Sequence, residues 1–229
     1  MSDDEHSDSP GRGAIFVPHP RRTLTYRILR AVLKFVLRLW FRPVVEGPGS
    51  IPADGPVIIT PVHRSFADFS LSVFLTDRKL FFIAKDSLWR SRLLGRFLLA
   101  MGAFPVHRES ADRAALNHAQ AVLEDGQVLV LFPEGTRQEG PLVQNLLEGA
   151  SFLSARTQAT IVPVGIGGSA KAMPKGSSIP RPVKVRLYVA EAMAPPDATG
   201  AGRVPRSVIK GTTATLRSRI QDAFDRASA

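Results

Sequence analysis

The strongest pattern of apolar and polar positions lies near the start of the chain. Arg27, Arg30, Lys34, Arg38 and Arg42 recur three or four residues apart. Between them Tyr26, Ile28, Leu29, Val32, Leu33, Phe35, Val36, Leu37, Leu39 and Trp40 fill the remaining positions. At about 100° per residue this predicts a helix with one cationic stripe and an apolar surface broader than a core-packed helix needs. Arg21 to Arg42 holds seven basic residues and no acidic one. Phe35 and Trp40 fall opposite the stripe. Such a helix suits the plane of an anionic membrane, with Arg and Lys at the headgroups. The alternative is a helix packed on the core with a solvated basic edge.

Beyond Arg42 the pattern shortens. Pro43 to Gly47 and Pro56 to Pro61 read as short buried strands, the second built on the β-branched run Val57-Ile58-Ile59-Thr60. A helix is expected from about Ser65, a strand from Leu80 to Ala84, and an apolar helix from Leu93 to Met101 beside Arg90, Arg92 and Arg96. Further helices are expected at Asp112 to Asp125, closed by Gly126, and at Leu142 to Arg156. Strands follow at Val128 to Phe132, Thr160 to Ile166 and Val183 to Val189. Pro205 to Arg226 predicts a last amphipathic helix with Val208, Leu216, Ile220 and Phe224 on one face. Strands alternating with helices argue an α/β sandwich, parallel at least in part. Three regions result: an acidic, Ser-, Gly- and Pro-rich disordered tail at 1–20, the basic amphipathic membrane helix at 21–42, and an α/β domain at 43–229.

Composition narrows the choice. The chain has 229 residues, 44% of them hydrophobic, enough for one domain with a full core. No stretch approaches the roughly 18 uninterrupted apolar residues of a spanning helix, and no signal-peptide pattern opens the sequence, so a peripheral place on the cytoplasmic face is expected. The absence of cysteine excludes disulfides, thiolate metal sites and a Cys nucleophile. A formal charge of +10 calls for an anionic partner. The basic residues concentrate on a helix whose remaining surface is apolar, and no nucleic-acid-binding signature is present, which favours a membrane over nucleic acid. No His/Asp/Glu cluster has metal-ligand spacing.

Chemistry concentrates in His63-Arg64-Ser65-Phe66-Ala67-Asp68, directly after the Val57–Thr60 strand. A neutral imidazole there can accept a proton from a hydroxyl, and a carboxylate on its other nitrogen fixes the tautomer. Residues five apart on one helix point about 140° away from each other. The pair therefore meets only if His63 lies in the turn before the helix. A second reading stays open, in which Ser65-x-x-Asp68 is a capping box and Asp68 serves the backbone.

H-x-x-x-x-D after a buried strand resembles the first signature of the glycerolipid acyltransferases, the group that contains the lysophosphatidic acid acyltransferases. Gly102-Ala103-Phe104-Pro105-Val106-His107-Arg108 is similar to the second, Phe132-Pro133-Glu134-Gly135-Thr136-Arg137 matches the third, and Ile161-Val162-Pro163-Val164-Gly165 is similar to the fourth. The four stand in order and reach most of the segment from Pro43 to Ala190.

The resemblance implies a glycerol-3-phosphate-acyltransferase-like sandwich. It also implies acyl transfer from acyl-CoA or an acyl carrier protein to the hydroxyl of a lysophospholipid such as 1-acylglycerol-3-phosphate, giving phosphatidic acid without a cofactor. Another lysophospholipid, glycerol-3-phosphate or a glycolipid are alternative acceptors, and a non-catalytic basic membrane or nucleic-acid-binding protein is the alternative from another class. It implies His63 as general base with Asp68 orienting it. Arg108 and Arg137 would hold the acceptor phosphate, with Gly135 and Thr136 beside them and Glu134 positioning the group. The sequence departs from the pattern at Val62, where Asn is usual, and at Gln138 and Glu148, where positive charge is lost. Lys171, after Gly167-Gly168, and Lys175 offer positive charge that could compensate.

Overall fold

The computed structural model describes residues 23–106, 113–173, 179–197 and 204–229. Helix α1 spans Leu24–Phe41, and strand β1 spans Val44–Glu46. They are followed by β2 (Val57–Pro61), the single turn α2 (Asp68–Leu71) and β3 (Leu80–Lys85). Next come α3 (Arg92–Ala100), β4 (Ala103–Val106), α4 (Arg113–Glu124) and β5 (Val128–Val130). The chain continues through α5 (Gly149–Thr157), β6 (Thr160–Gly167) and the single turn α6 (Ser169–Ala172). It closes with β7 (Arg186–Val189) and α7 (Arg206–Ser228).

The strands form one sheet in the order β1-β7-β6-β2-β5-β3-β4. All neighbouring pairs are parallel except β6 with β7. Val57, Ile58 and Ile59 are fully buried, as are Ile161, Val162 and Val164. Strands buried on both faces lose the in–out alternation and become continuous apolar runs, as the sequence shows. The α/β sandwich expected from the pattern is the observed architecture. Gly165 and Gly167 explain how α7 lies against β6: a Cβ on either would collide with the backbone carbonyls of Ala223 and Ala227.

Several boundaries differ. Val44 and Val45 are exposed, because β1 is an edge strand paired only with β7 and not the buried strand expected. The helix expected from Ser65 begins at Asp68 and lasts one turn before a 3-10 turn at Ser72–Phe74. The helix expected from Leu142 begins only at Gly149; residues 142–148 are irregular because their backbone is tied to other segments. The strand Val128–Phe132 stops at Val130, where the chain turns into the Phe132–Gly135 motif.

The largest correction concerns α1. Thr23 Oγ1 accepts from Tyr26 N at 3.2 Å and caps its start, and Arg42 in the left-handed region ends it. It runs from the start of β3, where Tyr26 Oη accepts from Leu80 N, to the start of β7, where Phe41 O accepts from Val185 N. Part of the expected headgroup stripe faces inward. Arg30 is buried and donates to the carbonyls of Val73, Thr76, Asp77 and Arg78, and Lys34 pairs with Asp77 at 3.1 Å. The guanidinium satisfies carbonyls left unpaired where the 3-10 turn unwinds, a role the helical period cannot announce. The exposed surface is instead the apolar one, with Ile28, Val32, Phe35 and Leu39 between half and two-thirds exposed. Arg27 and Arg38 stay exposed. Among the described residues no helix is long and apolar enough to cross a membrane.

Candidate active site

The site lies where β2, β3 and β5 end, at the carboxyl edge of the parallel strands, the usual position for ligands in such sheets. After Pro61 the chain leaves β2 and turns through His63 and Arg64 into α2. His63 Nδ1 lies 3.1 Å from Asp68 Oδ2. A carboxylate only accepts, so a neutral imidazole paired with it carries its proton on Nδ1 and its lone pair on Nε2. The same Oδ2 accepts from Arg64 N at 2.7 Å and Ser65 N at 2.6 Å. The two readings of Asp68 therefore hold together: it serves the backbone of the turn and orients the imidazole. Asp68 is completely buried, and its Oδ1 has no hydrogen-bond partner among the described residues.

The third motif packs against this turn. Pro133 to Thr136 forms a tight turn after β5, with Gly135 N donating to Phe132 O at 3.1 Å and Gly135 at φ 71°, where a side chain would be strained. The Phe132 ring stacks on His63 at 4.2 Å between centroids. Glu134 points inward. Its Oε2 accepts from His63 N at 2.9 Å, its Oε1 accepts from Gln144 N at 3.2 Å, and Arg64 Nη1 lies 2.9 Å from both. Arg64 is held further by donating to the carbonyls of Gly140 and Leu142. Its guanidinium carbon stands 4.9 Å from the centre of the Phe224 ring on α7.

The loop after the motif is clamped from the other side. Arg217 Nη2 donates to Val143 O at 2.9 Å, and Gln221 Oε1 accepts from Val143 N at 2.7 Å while its Nε2 donates to Pro141 O at 3.0 Å. Residues 217, 221 and 224 share one face of α7. That face fixes the loop which in turn holds Arg64 and Glu134.

His63 and Arg137 both border a cavity of about 370 Å³ walled by Phe66, Phe69, Phe82, Leu88, Phe97 and Leu98. Arg137 is half-buried and has no ion pair among the described residues. Thr136 is exposed and its Oγ1 accepts from Gln138 Nε2 at 3.0 Å. Arg108, the remaining candidate, lies outside the described residues, as do His107 and Lys175. Among the described residues no group of three His, Cys, Asp or Glu could hold a metal ion. The arrangement sets an oriented imidazole and a guanidinium with no ion pair among the described residues on the walls of one apolar cavity.

Sequence reasoning passed over Arg64, Arg217 and Gln221. One signal was available for Arg64: Glu134 is an acid inside a motif read as anion-binding, and a buried acid needs a cation. Nothing in the sequence marks Arg217 or Gln221, which work through a loop seventy-odd positions away.

The model of the family described as Acyltransferase matches residues 42–167, more than half of the chain. The chain belongs to the acyltransferase family. Its relatives include a 1-acyl-sn-glycerol-3-phosphate acyltransferase of Bacillus subtilis, 26% identical over 72% of this chain and 81% of that protein. A chloroplastic 1-acyl-sn-glycerol-3-phosphate acyltransferase of Arabidopsis thaliana is 26% identical over 71% of this chain, which spans 49% of that longer relative. Among solved structures, the 1-acyl-sn-glycerophosphate acyltransferase PlsC of Thermotoga maritima superposes with a TM-score of 0.70 over 89% of this chain and 81% of that one, at 24% identity. That likeness supports the fold of this acyltransferase. Its α7 clamp lies outside the residues matched by the family model.

Proposed function

We infer that the protein transfers a fatty acyl group from a thioester to the free hydroxyl of 1-acylglycerol-3-phosphate, giving phosphatidic acid. The observation that carries this reading is His63, oriented by Asp68 at 3.1 Å, lining one apolar cavity together with Arg137, which has no ion pair among the described residues. The cavity suits an acyl chain and the guanidinium suits a phosphate. Relatives carrying the name of this activity support the choice of acceptor.

In this reading His63 Nε2 takes the proton of the acceptor hydroxyl as its oxygen attacks the thioester carbonyl. The new C–O bond forms, the C–S bond breaks, and the departing thiolate takes the proton back from the imidazolium. Asp68 stabilises the imidazolium in between. Arg137 and Arg108 hold the acceptor phosphate beside Gly135 and Thr136. Glu134, whose oxygens are committed to His63 N, Gln144 N and Arg64, acts by positioning the His63 turn rather than by touching the phosphate. The exposed apolar face of α1 would rest in a membrane surface, where the acceptor and product reside.

The test is acyl transfer by purified protein from oleoyl-CoA to a panel of acceptors: 1-acylglycerol-3-phosphate, other lysophospholipids, glycerol-3-phosphate and a glycolipid. Formation of phosphatidic acid well above the other products is expected. Faster acylation of glycerol-3-phosphate or of an uncharged lysolipid would overturn the assignment of acceptor.

A further inference from the structure

Two hollows flank the His63–Arg64 turn at the carboxyl edge of the sheet. One is the apolar cavity described above. The other, about 450 Å³, lies towards β6 and β7 and is cationic. Lys171 on α6, Lys184 just before β7 and Arg186 at the start of β7 stand on its walls, with the exposed Gly168 between them and Ala227 to Ala229, at the end of α7, on the remaining side. None of the three cations has an ion pair among the described residues. Three like charges around one hollow repel one another, and an anion placed there removes that cost. Arg64 and Gly140 belong to its lining, so the hollow begins one residue from His63. Ser65 Oγ donates to Met173 O at 3.3 Å, which fastens the segment carrying Lys171 to the same turn.

The reaction inferred above brings two anionic groups to the site. One is the acceptor phosphate, matched to Arg137 on the wall of the apolar cavity. The other is on the thioester carrier, whose phosphates lie at the far end of the pantetheine arm. With the acyl chain in the apolar cavity and its carbonyl at His63, the carrier leaves on the opposite side of the turn. That path leads over Arg64 and Gly140 into the cationic hollow.

We propose that the hollow walled by Lys171, Lys184 and Arg186 binds the phosphorylated end of the acyl-thioester carrier. The proposal rests on the acyl-transfer reading. A phosphate at the end of the pantetheine arm is common to coenzyme A and to acyl carrier protein. Coenzyme A adds further phosphates, which three cations suit better than one.

The experiment compares wild type with Lys184→Ala, Arg186→Ala and the double variant at saturating acceptor. The donors are oleoyl-CoA, oleoyl-carrier protein and oleoyl-pantetheine, which has the same thioester and no phosphate. The double variant should raise the KM for oleoyl-CoA about tenfold. The KM for oleoyl-pantetheine should stay within about twofold of wild type, because that donor reaches the acyl cavity without the hollow. A larger rise for the carrier protein than for oleoyl-CoA names the protein-borne phosphate as the source and keeps the site. Unchanged KM for both phosphorylated donors overturns the proposal, as does an equal rise for all three. So does loss of binding to phosphatidylglycerol vesicles with donor KM unmoved, which would assign the hollow to a lipid headgroup. Binding of free coenzyme A by titration calorimetry separates this site from the parent reading. A wild type that binds coenzyme A through these residues yet transfers no acyl group refutes the acyl-transfer reading and leaves the site standing.

Discussion

Arg64 Nη1 lies 2.9 Å from both carboxylate oxygens of Glu134, and neither side chain reaches solvent. The pair joins the His63 turn to the Phe132–Arg137 motif, two segments seventy residues apart. Removing one member strands the other charge. Glu134→Ala should therefore destabilise the fold by about 3–5 kcal/mol, measured by urea unfolding, and abolish turnover because His63 N loses its acceptor. Arg64→Met combined with Glu134→Leu should recover much of the stability and none of the activity. A double variant as unstable as the single one would show that the cost is not the stranded guanidinium.

His63→Ala should lower turnover about 10²- to 10⁴-fold, the usual worth of a general base. Asp68 Oδ2 keeps the amides of Arg64 and Ser65 when the ring is lost, so the turn stays tied and the unfolding midpoint should move little. A folded variant keeping more than half of wild-type turnover would remove His63 from the chemistry.

Arg137→Ala should raise the KM for the phosphorylated acceptor, the loss of a charge-assisted bond being worth about 1.5–3 kcal/mol. Donor KM should change far less. Steady-state kinetics with each substrate varied in turn decides it, and a rise confined to the donor would mean that the guanidinium serves the thioester.

Arg217 acts at one remove, through Val143 and the loop that carries Gln144 to Glu134. Arg217→Ala should reduce kcat about tenfold while leaving both KM values nearly unchanged, since a misplaced base lowers the rate of a correctly bound complex. Arg217→Lys, which can still donate to Val143 O, should restore part of the rate. Unaltered kcat with a lowered melting temperature would reduce the clamp to a support of the fold.

Because Arg30 and Lys34 are committed to the protein, membrane attachment through α1 should depend mainly on Ile28, Val32, Phe35 and Leu39. Phe35→Asp with Leu39→Asp should abolish flotation with anionic liposomes, while raising the salt concentration should weaken wild-type flotation only in part through the exposed Arg27 and Arg38. Flotation of the double variant at wild-type level would place the contact elsewhere on the surface.

The sequence made the sheet legible where strands are buried on both faces. Val57 to Thr60 and Thr160 to Ile166 read as strands because nothing but packing selects their residues. It misplaced the segment Leu142 to Glu148, whose apolar residues follow a helical spacing. Hydrogen bonds from Arg64 and Arg217 to its carbonyls, and from its Val143 amide to Gln221 Oε1, outweigh the local preference. The pairing of His63 with Asp68 was readable from a spacing that only a turn can close. Arg30 was not readable, since a helical period reveals which positions share a face but not whether that face meets water or unpaired carbonyls.

The bare backbone that Gly165 and Gly167 present to α7 has a consequence for anyone recombining this protein with a relative. Strand and helix fit only as a matched pair, and the helix carries Arg217, Gln221 and Phe224 to the active-site loop. A chimaera that imports a foreign C-terminal segment without its own β6 would seat that segment at a different height above the sheet. The misfit would then surface as slow catalysis, far from the seam that caused it.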